Sequence, residues 1–255
     1  MKKIIFVIFL SLLNFNFIYS AQWSYDKQDN WSGKCNVGNQ QSPINIITKN
    51  SQSKDINLVI NYLPKLKPTH IINNGHTVQV NFALGNTVSF NGVLYNLLQV
   101  HFHAPSEHQI DGKSFPLEAH FVHQNDKKEL LVLGVFFTEG NKNKAFTEIL
   151  EHAPKNINHA HDNDVNEAAV KALKGDLLFK ESLPLKDLLP ATLELYNYSG
   201  SLTTPTCDEG VNWVVFKNTK EVSSNEIKKF KELTVPSSNR KTQPINKRTI
   251  FSTSK

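Results

Sequence analysis

Two segments of alternating character, residues 94–103 and 117–123, carry four of the chain's ten histidines, and they constrain the fold more than any other feature. Side chains two apart on a strand share a face, so His101 and His103 project together while Val100 and Phe102 turn away. In the second segment Glu118, His120 and Val122 share one face, and Ala119, Phe121 and His123 the other. If the two segments pair as antiparallel neighbours, His120 meets His101 and His103. An imidazole is costly to bury without partners for its ring nitrogens. Three neutral imidazoles converging on one point suit Zn²⁺, with a fourth tetrahedral position left for water, which is the pattern of a catalytic rather than a structural zinc. Gln99 and Glu118 share the histidines' faces and can accept a hydrogen bond from the ring N–H turned away from the metal, fixing tautomer and orientation.

Further alternating or β-branched stretches recur over residues 76–82, 87–91, 130–137 and 212–216. Turn residues separate the stretches, among them Gly85-Asn86, Asn91-Gly92, Asp111-Gly112 and Glu139-Gly140. Helical patterns are fewer. Ser223 and Glu226 have capping-box spacing ahead of Ile227, Phe230 and Leu233, an apolar stripe along one helix face. Residues 144–151 and 165–173 are weaker helix candidates. No internal repeat and no low-complexity linker divides the 255 residues, which predicts one mainly β domain.

Lys2 and Lys3 precede an apolar run from Ile4 to Leu13, and Ser20-Ala21 offers small residues for cleavage. That is the layout of a secretory signal peptide over residues 1–20, with 21–255 as the mature domain. The run falls short of the ~20 apolar residues a span needs and is followed by Asn14 and Asn16. The expected location is periplasmic or secreted. The formal charge is +5, but residues 220–255 hold nine Lys/Arg against three Asp/Glu. The basic character therefore belongs to a C-terminal segment and not to a broad nucleic-acid-binding face. Cys35 and Cys207 are the only cysteines. In an oxidising compartment an isolated pair is most simply a disulfide, two free buried thiols being the alternative.

The stretches QVHFHAPSEH and LEAHFVH resemble the zinc-site signature of the α-class carbonic anhydrases, in the shorter form of the bacterial exported branch. WSYDK, QSPINI, NNGH, VLGVFF, GSLTTP, VNWVVF and a closing NR…QPIN extend the likeness, in order, over nearly the whole mature chain. The resemblance implies a single domain around a large, mostly antiparallel twisted β-sheet with short peripheral helices, and zinc at the bottom of a conical cleft. It implies reversible hydration of carbon dioxide to bicarbonate and a proton by hydroxide on zinc, with His101, His103 and His120 as ligands. Thr203 matches the threonine that accepts the hydroxide's hydrogen bond, and Glu107 matches the carboxylate that receives the threonine's own proton. Val122, Val132, Leu202 and Trp213 match the apolar wall around carbon dioxide, and Thr204 a polar rim position. His76 matches the proton shuttle, with Tyr25, Asn74 and Gln79 at positions that hold the connecting waters. Gln79 stands where many members have asparagine. His108 and His123 match buried structural residues.

The expected partners are thus carbon dioxide and bicarbonate, with no nucleic acid, no membrane span after signal cleavage, and a homodimer as the one assembly allowed for. The alternative is a non-catalytic exported zinc-binding protein, against which the intact ligands, Glu107, Thr203 and His76 argue. A zinc hydrolase of esters or peptides lacks support, because neither an H-E-x-x-H nor a G-x-S-x-G motif occurs. His152, His159 and His161 form a second histidine-rich stretch, read as a surface loop.

Overall fold

The computed structural model describes residues 23–64, 68–155 and 182–253. The expected leader over residues 1–20, the helix candidate at 165–173, and His159 and His161 lie outside them. In chain order the described elements are α1 (Lys34–Val37), β1 (Asn45–Ile46), β2 (Gln52–Ser53), β3 (Leu58–Asn61), β4 (Pro68–Asn73), β5 (Val78–Phe82), β6 (Thr87–Phe90), β7 (Val93–His103), β8 (Gln109–Ile110), β9 (Leu117–Gln124) and β10 (Leu130–Glu139). They continue with α2 (Lys144–His152), β11 (Leu195–Ser201), β12 (Glu209–Phe216), β13 (Lys220–Val222), α3 (Ser224–Leu233) and β14 (Phe251–Ser252).

Strands β2-β14-β11-β12-β10-β9-β7-β5-β4 lie side by side, and with β3, β6 and β13 they make a 12-stranded sheet; β1 and β8 form a separate short pair. Within the large sheet β10 runs parallel to β12 and β13, and β14 parallel to β2. The remaining neighbours, including β7·β9 and β9·β10, are antiparallel. The mainly β, mostly antiparallel architecture with short peripheral helices is therefore what the chain adopts.

The sheet separates two cores by the alternation of its strands. Val100, Phe102, Ala119, Phe121, Leu131 and Leu133 point to one side, where Phe146 of α2 and Phe230 of α3 cover them. Both helices are closed at their N-termini by local chemistry. Asn143 accepts the Phe146 amide, and Ser223 and Glu226 form the full capping box expected from their spacing. Val132, Trp213, Val215 and Tyr198 point to the opposite side, with Val122 and Leu202 packed against them. His101 and His103 of β7 and His120 of β9 face this second side, while His123 turns to the first.

The expected strands over 94–103, 117–123, 130–137 and 212–216 are present with extensions of one to three residues, and that over 87–91 ends one residue early, at Phe90. The stretch 76–82 begins as a strand only at Val78. The Asn74 carboxamide oxygen accepts the amides of His76 and Thr77 at 3.0 and 2.9 Å, and this Asx turn holds His76 outside the ladder. Strand β11 escaped the sequence pattern because Asn197, Ser199, Gly200 and Ser201 interrupt any apolar period, even though all of them but Ser199 are buried. Strands β3 and β4 were missed for simpler reasons, one being four residues long and the other opening on Pro68.

Candidate metal centre

Register brings the three histidines together. His101 on β7 pairs directly with His120 on β9, and His103 pairs with Glu118. The ring centroids of His101, His103 and His120 lie 4.5 to 5.2 Å apart. One ligand atom from each lies within 4.8 Å of the others.

Each ring spends one nitrogen on the protein and keeps the other. His101 Nδ1 donates to Gln99 Oε1 at 2.8 Å, His103 Nδ1 to the Ser238 carbonyl at 2.6 Å, and His120 Nε2 to Glu118 Oε1 at 2.8 Å. These bonds leave His101 Nε2, His103 Nε2 and His120 Nδ1 as lone pairs. His103 Nε2 and Glu107 Oε2 are buried without a hydrogen-bond partner, 3.5 Å apart. Buried polar atoms are rarely left so, and a lone pair beside a carboxylate oxygen is satisfied by a cation. The donor set therefore fits a divalent metal of the zinc type: three neutral imidazoles, with a carboxylate close behind.

Electrostatics keep the His101 and His103 rings neutral and available. Burial, then the neighbouring imidazoles, hold His101 well below the ordinary histidine range. The same causes take His103 down to about 3, against the Ser238 carbonyl and Glu118. Glu118 is fully buried. Burial alone would raise its pKa, but His108 and His120 outweigh that and hold it well below the carboxylate range. As an anion it accepts four bonds: the backbone amides of Glu107 and His108 at 2.9 Å on Oε2, and the His108 and His120 rings on Oε1. His108 in turn accepts from the Tyr198 hydroxyl at 2.6 Å. Although His108, Glu118 and His120 also cluster closely enough to hold a metal, both ring nitrogens of His108 are occupied, so this trio is a hydrogen-bonded support.

Above the histidines opens a cleft of about 270 Å³. Its lining includes Tyr25, Asn74, His76, Gln79, Gln99, Val122, Val132, Leu202, Thr203, Thr204 and Trp213; of the expected site residues only Glu107 and Glu118, which are buried, and the disulfide pair Cys35 and Cys207 do not line it. A larger groove of about 740 Å³, lined by residues such as Tyr198 and Arg248, shares no residue with the cleft and holds no histidine. Thr203 and Trp213 are buried, and the Trp213 indole N–H donates to the Ser201 carbonyl at 3.0 Å. Burial pushes the Glu107 carboxyl up to about 7, while His120, the Thr203 hydroxyl and the Arg240 amide pull it down. The Arg240 amide donates to Glu107 Oε1 at 2.8 Å. The loop carrying Thr203 and Thr204 is tied down by the Cys35–Cys207 disulfide and by the Cys207 amide on the Thr204 carbonyl.

Sequence reasoning missed Trp23, Thr77, Ser238 and Arg240. Trp23 lies in the quoted WSYDK block and Arg240 in NR…QPIN, so a signal for them existed. The partner of His103, the Ser238 carbonyl, is backbone and leaves no side-chain signature.

A profile of the eukaryotic-type carbonic anhydrase family matches residues 21–254. The chain is 36% identical over 241 residues to a carbonic anhydrase of Neisseria gonorrhoeae, covering 91% of this chain and 88% of that one. It is 37% identical over 218 residues to a carbonic anhydrase of Pectobacterium atrosepticum, covering 85% and 81%. Among solved structures, the α-carbonic anhydrase of Thermovibrio ammonificans superposes with a TM-score of 0.74 at 35% identity, over 86% of this chain and 89% of that one. The match spans the sheet, the cleft and the histidine cluster together, and the chain is an enzyme of the eukaryotic-type, or α-class, carbonic anhydrase family.

Proposed function

We propose that the chain catalyses the reversible hydration of carbon dioxide to bicarbonate and a proton, with zinc held by His101, His103 and His120. The observation that carries this reading is the set of three unspent ring nitrogens facing one another, each opposite a nitrogen fixed by Gln99, Ser238 or Glu118. When bound, zinc supplies Lewis acidity that lowers the pKa of water to about 7.

The chain's own residues do the rest. Glu107, beside Thr203, accepts the hydrogen bond that the Thr203 hydroxyl donates, which leaves the lone pairs of the Thr203 oxygen as acceptors toward the cleft. That polarity orients the attacking oxygen, a positioning contribution. Val122, Val132, Leu202 and Trp213 offer no hydrogen-bond donor at their cleft surface, and the Trp213 N–H is already spent on Ser201. A linear, nonpolar substrate can lie there without displacing water from polar groups, and Thr204 at the rim suits the charged product. His76, at the cleft wall beside Tyr25, Asn74 and Gln79, takes the released proton as a neutral imidazole.

Export to an oxidising compartment belongs to the same proposal, supported by the disulfide and by the charge and apolar pattern of residues 1–20. No described helix is long and apolar enough to cross a membrane. Stopped-flow hydration of carbon dioxide on zinc-loaded and chelator-treated protein tests the reading. Hydration that appears with zinc and disappears with the chelator is expected. A protein that binds zinc and does not hydrate carbon dioxide would instead be a non-catalytic zinc-binding protein.

A further inference from the structure

Gly134 takes no part in the chemistry above, yet it stands on β10 directly opposite His120 of β9, and on its other side it pairs with Val215 of β12. Its backbone is ordinary strand, so conformational freedom is not the reason for a glycine there. The reason is space. A Cβ at this position would stand 3.0 Å from Glu118 Oε1, 3.6 Å from Val215 Cγ2 and 3.9 Å from Trp213 Cζ3. The last two distances are ordinary van der Waals contacts, and the first is too short for one.

Glu118 Oε1 is also a poor atom to displace. It accepts from His108 Nδ1 at 2.7 Å and from His120 Nε2 at 2.8 Å, while Oε2 is anchored by two backbone amides. Any retreat from a new methyl group must stretch or tilt those bonds. The His120 ring follows, because its Nε2 has this single partner and its Nδ1 direction is fixed through it.

We infer that Gly134 is a positioning residue of the metal centre: its missing side chain is the space in which the Glu118 carboxylate bridges His108 and His120. The inference rests on the reading that the three histidines hold a divalent metal. Hydrogen-bond partners of metal ligands typically govern 10–100-fold of metal affinity, and a disturbed rather than deleted partner belongs at the lower end.

Zinc affinity measured by chelator competition on the full mature chain tests it, with Gly134→Ala placed in two backgrounds. In the native background Gly134→Ala should weaken zinc binding about tenfold. In Glu118→Asp the carboxylate is one methylene shorter and withdrawn from the new methyl group, so adding Gly134→Ala should leave affinity nearly unchanged. Equal losses in both backgrounds, or no loss in the native one, would overturn the inference by tracing the effect to Val215 and Trp213 or to nothing. If Gly134→Ala does not fold, thermal melting of the metal-free chains decides instead. Folding restored by Glu118→Asp supports the carboxylate clash, and failure in both backgrounds refutes it. Native protein that binds no zinc would overturn the metal reading itself, and this inference with it.

Discussion

The His76 imidazole stacks on the Trp23 indole, with ring centroids 3.9 Å apart and planes 14° from parallel. Tyr25 meets the same imidazole edge-on at 5.9 Å. Burial against these rings lowers the His76 pKa from its ordinary value of 6.5. A shuttle must be neutral to accept a proton, so kcat should fall as pH drops through a midpoint below 6.5. Trp23→Ala removes the stacked ring, exposes His76, and should move that midpoint upward toward 6.5. A kcat–pH profile unchanged by Trp23→Ala would separate His76 from the proton route.

Removing the imidazole should have a different signature. His76→Ala should lower kcat about tenfold while leaving kcat/KM nearly unchanged, because substrate attack precedes proton release. Added imidazole buffer should restore kcat. Equal losses in both parameters without buffer rescue would give His76 a structural part only.

Thr203→Ala should lower kcat and kcat/KM together, by roughly tenfold, the worth of about 1.4 kcal/mol in the transition state. Buffer should not rescue it, since orientation of the attacking oxygen is lost and proton release is not. Steady-state hydration kinetics with and without imidazole distinguish this from the His76 variant.

His123 is buried on the other side of β9, where it donates to the Leu131 carbonyl and accepts from the Tyr62 hydroxyl at 2.8 Å. Burial takes its pKa from 6.5 to about 4. The unfolded chain therefore binds a proton that the folded chain refuses over pH 6.5 to 4. Its contribution is complete above pH 6.5 and is lost progressively as pH falls to about 4, by roughly 3 kcal/mol at most. Tyr62→Phe/His123→Phe should flatten the stability–pH curve between pH 7 and 5 in urea titrations. A slope identical to the native protein's would remove His123 from the acid sensitivity.

Cys35 and Cys207 close a loop of 172 residues in sequence. Purified protein should show no reactive thiol under denaturing, non-reducing conditions. Cys35→Ser/Cys207→Ser should lose about 2–5 kcal/mol of stability and loosen the loop that carries Thr203. Two titratable thiols in protein isolated from an oxidising compartment would contradict the pairing.

The histidine phases were legible because a strand's period of two is strict: His101, His103, Glu118 and Gln99 could be assigned to one face before any pairing was known. The capping box of α3 was legible for a similar reason, being local and set by two side chains. What pairs with what was not. The contact of His103 with the Ser238 carbonyl joins residues 135 apart through a backbone atom, and residue type says nothing about that. Gly134 looked like one more residue of an apolar strand, since its importance lies in atoms it lacks. The Asx turn at Asn74 that lifts His76 out of β5 was hidden because the flanking residues continue the alternation.

Zinc content and hydration rate, measured side by side on the native protein and on His103→Ala, test the central claim most directly. His103 supplies the buried, unpartnered nitrogen of the cluster, and a site reduced to two imidazoles loses its defined geometry. After dialysis the native protein should retain one zinc per chain and hydrate carbon dioxide, while His103→Ala should retain almost none and be inactive. One equivalent of zinc held by His103→Ala, with hydration preserved, would contradict the assignment of the metal to these three histidines.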